Sequence, residues 1–301
     1  MRIAVTGSTG LIGSALVGSL LADGHEVVRL VRHRGRTGPQ ADGTTAIGWN
    51  PLLMQIDRAG LAGVEAVVHL AGAGVGDHRW TDSYKREIRE SRVLGTETLA
   101  AALADAEKPP RVLLSASAVG YYGQTGAQIV DEDSPAGDDF LARVCVEWEA
   151  AARPAADAGI RVVHPRTGLV LSAAGGAGAR LFPLFKLGLG GRLGSGEQYW
   201  SLISLTDEVA ALRFLIDRHD IAGPVNLSAP EPVTNRELTA ALGRVLGRPT
   251  PFPVPEAVLR TVLGELAVEV VGSHRVVPAR LLAAGFRFRH PDADSAVRAA
   301  R

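Results

Sequence analysis

Eight residues near the start of the chain, Thr6-Gly7-Ser8-Thr9-Gly10-Leu11-Ile12-Gly13, have the type and spacing to hold a pyrophosphate. Glycines let the backbone turn sharply and come close to a ligand. A helix starting at the end of such a turn offers free N–H groups and the positive end of its dipole. A glycine triplet alone is a weak signal. This one lies between a short apolar run, Arg2–Thr6, and an apolar helical stretch, Leu11–Ala22, which is the context a dinucleotide requires. The turn therefore predicts cofactor contacts at Gly7, Thr9, Gly10, Leu11, Ile12 and Gly13. A valine-rich run, Glu26–Val31, follows and ends in Arg32-His33-Arg34 with no Asp or Glu nearby. An acidic residue there would hydrogen-bond the ribose of NAD; arginine instead suits a 2′-phosphate. The expectation is NADP(H) rather than NAD(H), with Arg32 the primary contact and His33 or Arg34 assisting. The plainer alternative is a solvated arginine-rich loop.

These residues need a scaffold, and the chain supplies one. Further apolar runs occur at Ile47–Trp49, Ala66–Leu70, Arg111–Ser115, Arg161–His164 and Pro224–Leu227. Helical stretches lie between them at Trp80–Ala104, Phe140–Ala158 and Asp207–Arg218. Continuous apolar strands alternating with helices predict an α/β fold, a Rossmann-type doubly wound parallel sheet. The last seventy residues read differently, as a smaller, mainly helical C-terminal domain. Thr234-Asn235-Arg236-Glu237 has capping-box spacing ahead of Leu238, Leu242 and Leu246, and Gly247 ends that helix. Pro255–Leu263 is a second short helix. The glycine-rich stretch Gly175–Gly196 reads as a long loop beside a site. The expected division is 1–166 with 206–229 as the nucleotide-binding domain, and 167–205 with 230–301 as the substrate or cap domain.

Composition narrows the classes. The chain has 301 residues, 32 basic and 32 acidic, with 46% hydrophobic and 21% charged. A balanced charge argues against a nucleic-acid partner. No unbroken apolar stretch is long enough for a membrane span, and the first apolar run, Ile3-Ala4-Val5, is too short for a signal peptide. Cys145 stands alone, so neither an intrachain disulfide nor a cysteine zinc cluster is expected, which fits a reducing cytoplasm. No metal is expected.

The turn, the order of elements and several longer segments together resemble the extended short-chain dehydrogenase/reductase superfamily, and within it the atypical branch labelled epimerase family protein. The matching segments are TGSTGLIG at 6–13, HLAGAGVGDHRWTDSYKREIRESR at 69–92, SASAVGYYG at 115–123, DEDSPAGDDFLARVCVEWE at 131–149, GLGGRLGSGEQYW at 188–200 and GSHRVVPARLLAAGFRF at 272–288. The resemblance spans nearly the whole chain and implies a Rossmann core, a small C-terminal domain and NADP(H). It places Leu70, Ala71 and Gly72 against the adenosine side of the cofactor, with Ser115 at the end of the next strand. It matches Ser117 to the serine or threonine that hydrogen-bonds the substrate oxygen, and Pro165-Arg166 to the segment beside the nicotinamide.

One departure stands out. The superfamily uses Tyr-x-x-x-Lys, in which four-residue spacing sets both side chains on one helix face and lysine lowers the tyrosine pKa. None of Tyr84, Tyr121, Tyr122 and Tyr199 has lysine four residues later. The corresponding helix carries Cys145 and Glu149, and a carboxylate there would raise the thiol pKa, so Cys145 reads as a small buried helix residue. Tyr121 and Tyr122, just beyond Ser117, are the remaining candidates to handle a proton, although an unassisted phenol has a pKa of about 10. Aromatic packing is their plainer reading. His69 reads as a core histidine, and Arg92 as either an anion ligand or a residue that orders its turn. A loop over the substrate is expected at Gly194–Gln198.

Three functional readings follow. The first is an NADP(H)-binding oxidoreductase or epimerase-like protein acting on a small carbonyl or hydroxyl substrate, using Ser117 with Tyr121, Tyr122 or water. The second is a redox sensor that binds NADP(H) without turning it over. The third, a sugar-nucleotide epimerase or dehydratase, follows only from the family label. A homodimer is possible through the long helices.

Overall fold

The computed structural model describes residues 1–32 and 37–301. Apolar residues at successive positions of each strand build the central layer. The strands that matter are β1 (Arg2–Thr6), β2 (Glu26–Val31), β3 (Thr45–Asn50), β4 (Ala66–His69), β5 (Val112–Ser115), β6 (Arg161–Thr167) and, further on, Gly223–Leu227. They pair in parallel in the order β3-β2-β1-β4-β5-β6 and then Gly223–Leu227. The alternation of strand side chains splits this layer between two cores. Ile3, Val5, Val27, Val68 and Leu114 face one, with Leu16, Leu20 and Leu212; Ala4, Val28, Val67 and Leu113 face the other, with Leu99 and Leu103. The strand order reverses direction between β1 and β4, which opens a crevice beyond the carboxyl ends of the strands.

The helices cover both faces. They are α1 (Leu11–Ala22), α2 (Asp82–Ala104), α3 (Phe140–Ala150), α4 (Arg153–Asp157), α5 (Gly176–Lys186), α6 (Leu205–Asp217), α7 (Asn235–Leu246), α8 (Glu256–Leu263), α9 (Ala267–Val271), α10 (Ala279–Ala283) and α11 (Ala293–Ala300). Thr234 forms the expected capping box with Glu237, and Gly247 closes α7 at a positive φ of 63°. Three expectations need correction. The stretch Phe140–Ala158 is broken, because a proline at 154 takes the first turn of a separate short helix. The Gly175–Gly196 segment is not all loop: α5 forms there because Phe182 and Phe185 bury themselves in a third core with Leu171, Leu202, Leu238, Leu242 and Val297. Tertiary burial overrides the poor propensity of the glycines. The sixth strand runs on to Thr167, so Pro165 and Arg166 lie inside the sheet rather than after it.

Carboxylates fasten the C-terminal segments to the sheet. Glu132 accepts the backbone N–H of Asn226 and of Arg280, bridging the last sheet strand to α10. Asp207, fully buried at the start of α6, accepts the N–H groups of Arg289 and His290. Arg79 donates to the carbonyls of Thr261 and Val262, pinning the end of α8 beside the start of α2.

Candidate functional site

The Gly-rich turn has a geometry that only glycine permits. Gly7 has a φ of +63°, and a Cβ there would lie 2.8 Å from the Leu70 carbonyl. A Cβ on Gly13 would lie 2.2 Å from the Gly7 carbonyl oxygen. Thr6 anchors the neighbouring loop, its hydroxyl accepting the N–H groups of Leu70 and Ala71. Those two bonds use both lone pairs, so the Thr6 proton goes to His69 Nδ1, 2.7 Å away. His69 is fully buried, and burial pushes its pKa down to about 4. It is a neutral core residue that helps to shape the turn.

The start of α1 is left open. Gly10 is its N-cap and contributes no side-chain hydrogen bond, whereas Thr81, Asp139, Ser204, Thr234 and Asp292 cap α2, α3, α6, α7 and α11. The N–H groups of the first turn, at Leu11, Ile12 and Gly13, therefore remain available to an anion. The Ile12 side chain packs into the core, and Leu11 packs beside Gly175.

A cleft of about 880 Å³ opens over this turn. Gly7, Thr9, Gly10, Arg32, Leu70, Ala71 and Gly72 all line it. Its far walls come from Trp49-Asn50-Pro51-Leu52 at the end of β3, and from Asp77, His78, Glu87, Glu90 and Ser91 on and before α2. The β3 wall was missed by sequence reasoning, although the rule that ligands lie beyond the carboxyl ends of strands would have pointed to it. Arg32 is exposed at the end of β2. His33 and Arg34 lie outside the described residues. The fit to a dinucleotide is good in kind: a cradle that a Cβ would fill, an uncapped helix start, and a cation with no acidic residue at the β2 end. Arg92 orders the adjacent turn, donating to the carbonyls of Ala73 and Ile88 while its guanidinium lies 5.0 Å from the Trp148 ring centroid.

Ser115 and Pro165 do not reach this cleft. Both are buried, and the Ser115 hydroxyl has no hydrogen-bond partner among the described residues. Ser117, Tyr121 and Tyr122 also lie elsewhere, in a polar chain beneath the carboxyl ends of β5 and β6. Ser117 Oγ donates to Glu149 Oε1 at 2.7 Å. Glu149 is gripped in turn by Arg166, Nε to Oε1 at 2.8 Å and Nη2 to Oε2 at 2.9 Å. Arg166 Nη1 donates to the Tyr122 hydroxyl at 3.0 Å, and that hydroxyl donates to Asn226 Oδ1 at 2.7 Å. The guanidinium also lies 3.4 Å from the Tyr121 ring centroid.

This chain of contacts changes the reading of both tyrosines. Tyr122 donates and accepts within the protein, and burial pushes its pKa up to about 12, outweighing Arg166. It is not poised to exchange a proton. Tyr121 acts as an aromatic face for Arg166, and its hydroxyl makes no hydrogen bond among the described residues. Burial works against the Arg166 charge, but Glu149 and Tyr122 outweigh it, so the guanidinium stays ionised. Cys145 is buried beside this chain, and burial, with Glu149 adding to it, pushes its thiol up to about 12. The Gly194–Gln198 segment packs on the C-terminal region, Gln198 Nε2 donating to the carbonyls of Leu193 and Val270.

Glu208 is a further buried acid, 0% exposed at the start of α6. Thr167 donates to its Oε1 at 2.9 Å, Oε2 has no partner among the described residues, and burial pushes its pKa from 4.5 up to about 8. The folded chain holds it neutral while the unfolded chain ionises above its ordinary value. Its contribution is therefore complete below pH 4.5 and is lost as the pH rises toward 8, about 3 kcal/mol of it by pH 7. Glu208→Gln keeps the Thr167 bond and is expected to remove this slope. Urea unfolding at pH 4.5 and 7 measures it.

A doubly wound parallel sheet with a glycine turn and an open helix start at its switch point defines the class of dinucleotide-binding Rossmann proteins. The chain belongs to the NAD-dependent epimerase/dehydratase family, whose model matches residues 3–227; a domain of unknown function matches residues 254–300. An epimerase family protein of Mycobacterium bovis is 48% identical over 289 residues, covering 96% of this chain and 93% of the relative. The epimerase family protein SDR39U1 of cattle is 39% identical, covering 99% of each. The human SDR39U1 protein, solved with NADPH, superposes with a TM-score of 0.91 at 35% identity, covering all of this chain and 99% of that one. No helix among the described residues is long and apolar enough to cross a membrane.

Proposed function

We propose that this protein binds NADP(H) and acts as an oxidoreductase or epimerase-like enzyme on a small carbonyl or hydroxyl compound. The observation that carries the reading is the cleft itself, where Gly7, the open start of α1 and exposed Arg32 meet on one surface. The human SDR39U1 structure with NADPH supports the cofactor. In this reading Gly7, Thr9, Gly10 and the N–H groups of Leu11 to Gly13 hold the pyrophosphate. Arg32, with His33, takes the 2′-phosphate, and Leu70, Ala71 and Gly72 hold the adenosine side. The bound nicotinamide supplies hydride chemistry. Ser117 is the residue that the family resemblance would assign to the substrate oxygen, and in the fold it is hydrogen-bonded to Glu149 rather than free in the cleft. The domain division at 167–205 and 230–301 makes the C-terminal region a substrate cap.

Arg32→Ala is expected to weaken NADPH by about 10- to 100-fold, the worth of a charge-assisted contact, and to leave NADH within about twofold. Parallel calorimetric titrations decide it; equal losses for both would remove Arg32 from phosphate recognition. The commitment of Tyr122 and the absence of a relay lysine support a second reading, a non-catalytic redox sensor. NADPH binding without turnover across a broad panel of carbonyls and alcohols would favour that reading.

A further inference from the structure

Exposed apolar side chains normally lie scattered singly over a protein surface. Here four large ones gather on one face, well away from the cleft. Leu187 is 72% exposed, Phe252 58%, Leu189 57% and Leu184 48%. They come from two segments that the fold lays side by side. α5 turns Phe182 and Phe185 into the third core, which leaves Leu184 on its outer side and Leu187 just past its end. The chain then folds back, the Leu189 N–H donating to the Leu184 carbonyl at 2.9 Å. Residues 248–254 run beside this stretch. Arg248 Nε donates to the Lys186 carbonyl at 3.0 Å, and the Val254 N–H to the Arg192 carbonyl at 2.9 Å. Pro249, Pro251 and Pro253 each lock one φ, so the backbone that presents Phe252 is stiff.

Charge decides what such a face can meet. Lys186, Arg192 and Arg248 are all exposed on it, and no carboxylate pairs with any of them among the described residues. Residues 183–196 and 247–255 contain no Asp or Glu, in a chain whose total charge is zero. The acids next along the chain, Glu197 and Glu256, are paired with Arg236 and Arg260. A second copy of the chain is a poor match, because two-fold pairing of this face would set its cations against their own counterparts. From the combination we infer that this face seats on an anionic phospholipid surface. Leu187, Leu189 and Phe252 enter the headgroup boundary, and Lys186, Arg192 and Arg248 meet lipid phosphates. No helix among the described residues can cross a bilayer, so this attachment is peripheral, reversible and weakened by salt. It stands independently of the cofactor reading, since none of these residues lines the cleft.

Vesicle flotation of the whole chain tests the assignment. Vesicles of phosphatidylcholine mixed with phosphatidylglycerol should bind about 100-fold tighter than phosphatidylcholine alone, the worth of three cations at an anionic surface. Lys186→Gln with Arg192→Gln should cost about 30-fold on the anionic vesicles and almost nothing on the neutral ones. Leu187→Ser with Phe252→Ser should cost about tenfold or more on both. Circular dichroism should be unchanged in each double variant, which separates loss of the face from loss of the fold. Phe252→Trp reads the contact directly: brominated lipid should quench its emission beyond any quenching of the parent protein. Equal binding to both vesicles, binding to neither, or binding that survives both double variants overturns the assignment. Self-association without lipid that Leu187→Ser with Phe252→Ser abolishes would give the face to a second copy and overturn it. Binding to polyglutamate as tight as to the anionic vesicles would give it to an acidic protein and overturn it likewise.

Discussion

Arg166→Met is expected to lower the unfolding free energy by about 3–5 kcal/mol, the cost of leaving a buried charge without its partner. Arg166 is 3% exposed and holds both oxygens of Glu149, the Tyr122 hydroxyl and the face of Tyr121. Removing it strands the Glu149 carboxylate among Ser117, Cys145 and the end of β6. The double variant Arg166→Met with Glu149→Leu should recover much of the loss, because apolar groups of similar volume often replace a buried pair at little cost. Guanidinium unfolding of the two singles and the double gives the coupling directly. A double variant no better than the singles would show that the network's other bonds, to Ser117 and Tyr122, carry the stability instead.

Gly13→Ala is expected to weaken NADPH by about 100-fold or more, close to 3 kcal/mol. The new Cβ would sit 2.2 Å from the Gly7 carbonyl oxygen. That neighbour is backbone in a turn whose other side already abuts the Leu70 carbonyl, so it has nowhere to move without reshaping the cradle. A Cβ on Gly10 would meet the same oxygen at 3.3 Å, a much milder contact. Gly10→Ala should therefore cost clearly less than Gly13→Ala. Calorimetry on both variants, with circular dichroism to confirm folding, separates them; similar losses would mean that ligand approach, rather than turn geometry, sets the demand for glycine.

The cofactor turn was legible because its requirements are local. A strand, three glycines and the start of a helix within the first thirteen residues fix the backbone path, and the missing acid after β2 is a statement about residue type at one position. The parallel layer and its burial on both faces follow from apolar runs and helix spacing, whereas the strand order came from the structure. The C-terminal capping box was readable for the same reason, since Thr234 and Glu237 are three residues apart.

The polar chain at the carboxyl ends of β5 and β6 had no such local signature. Ser117 with Tyr122, then Glu149, Arg166 and Asn226 come from four segments far apart in the chain, and no spacing between them shows that they meet. Sequence showed that no tyrosine has a lysine four residues later, but not that Glu149 would reach Ser117 or that Tyr122 would spend both its hydrogen-bonding capacities inside the protein. The α5 helix was hidden likewise, because Phe182 and Phe185 form it only against a core assembled from α7, α11 and two distant strands. By itself, then, the sequence determined the Rossmann layer, the glycine turn after β1 and the charge at the β2 end, all settled by bonds and sterics within one or two elements. Which acids are neutral, which serine proton is committed and where the C-terminal helices close were decided only by tertiary structure, because burial and long-range hydrogen bonds set them.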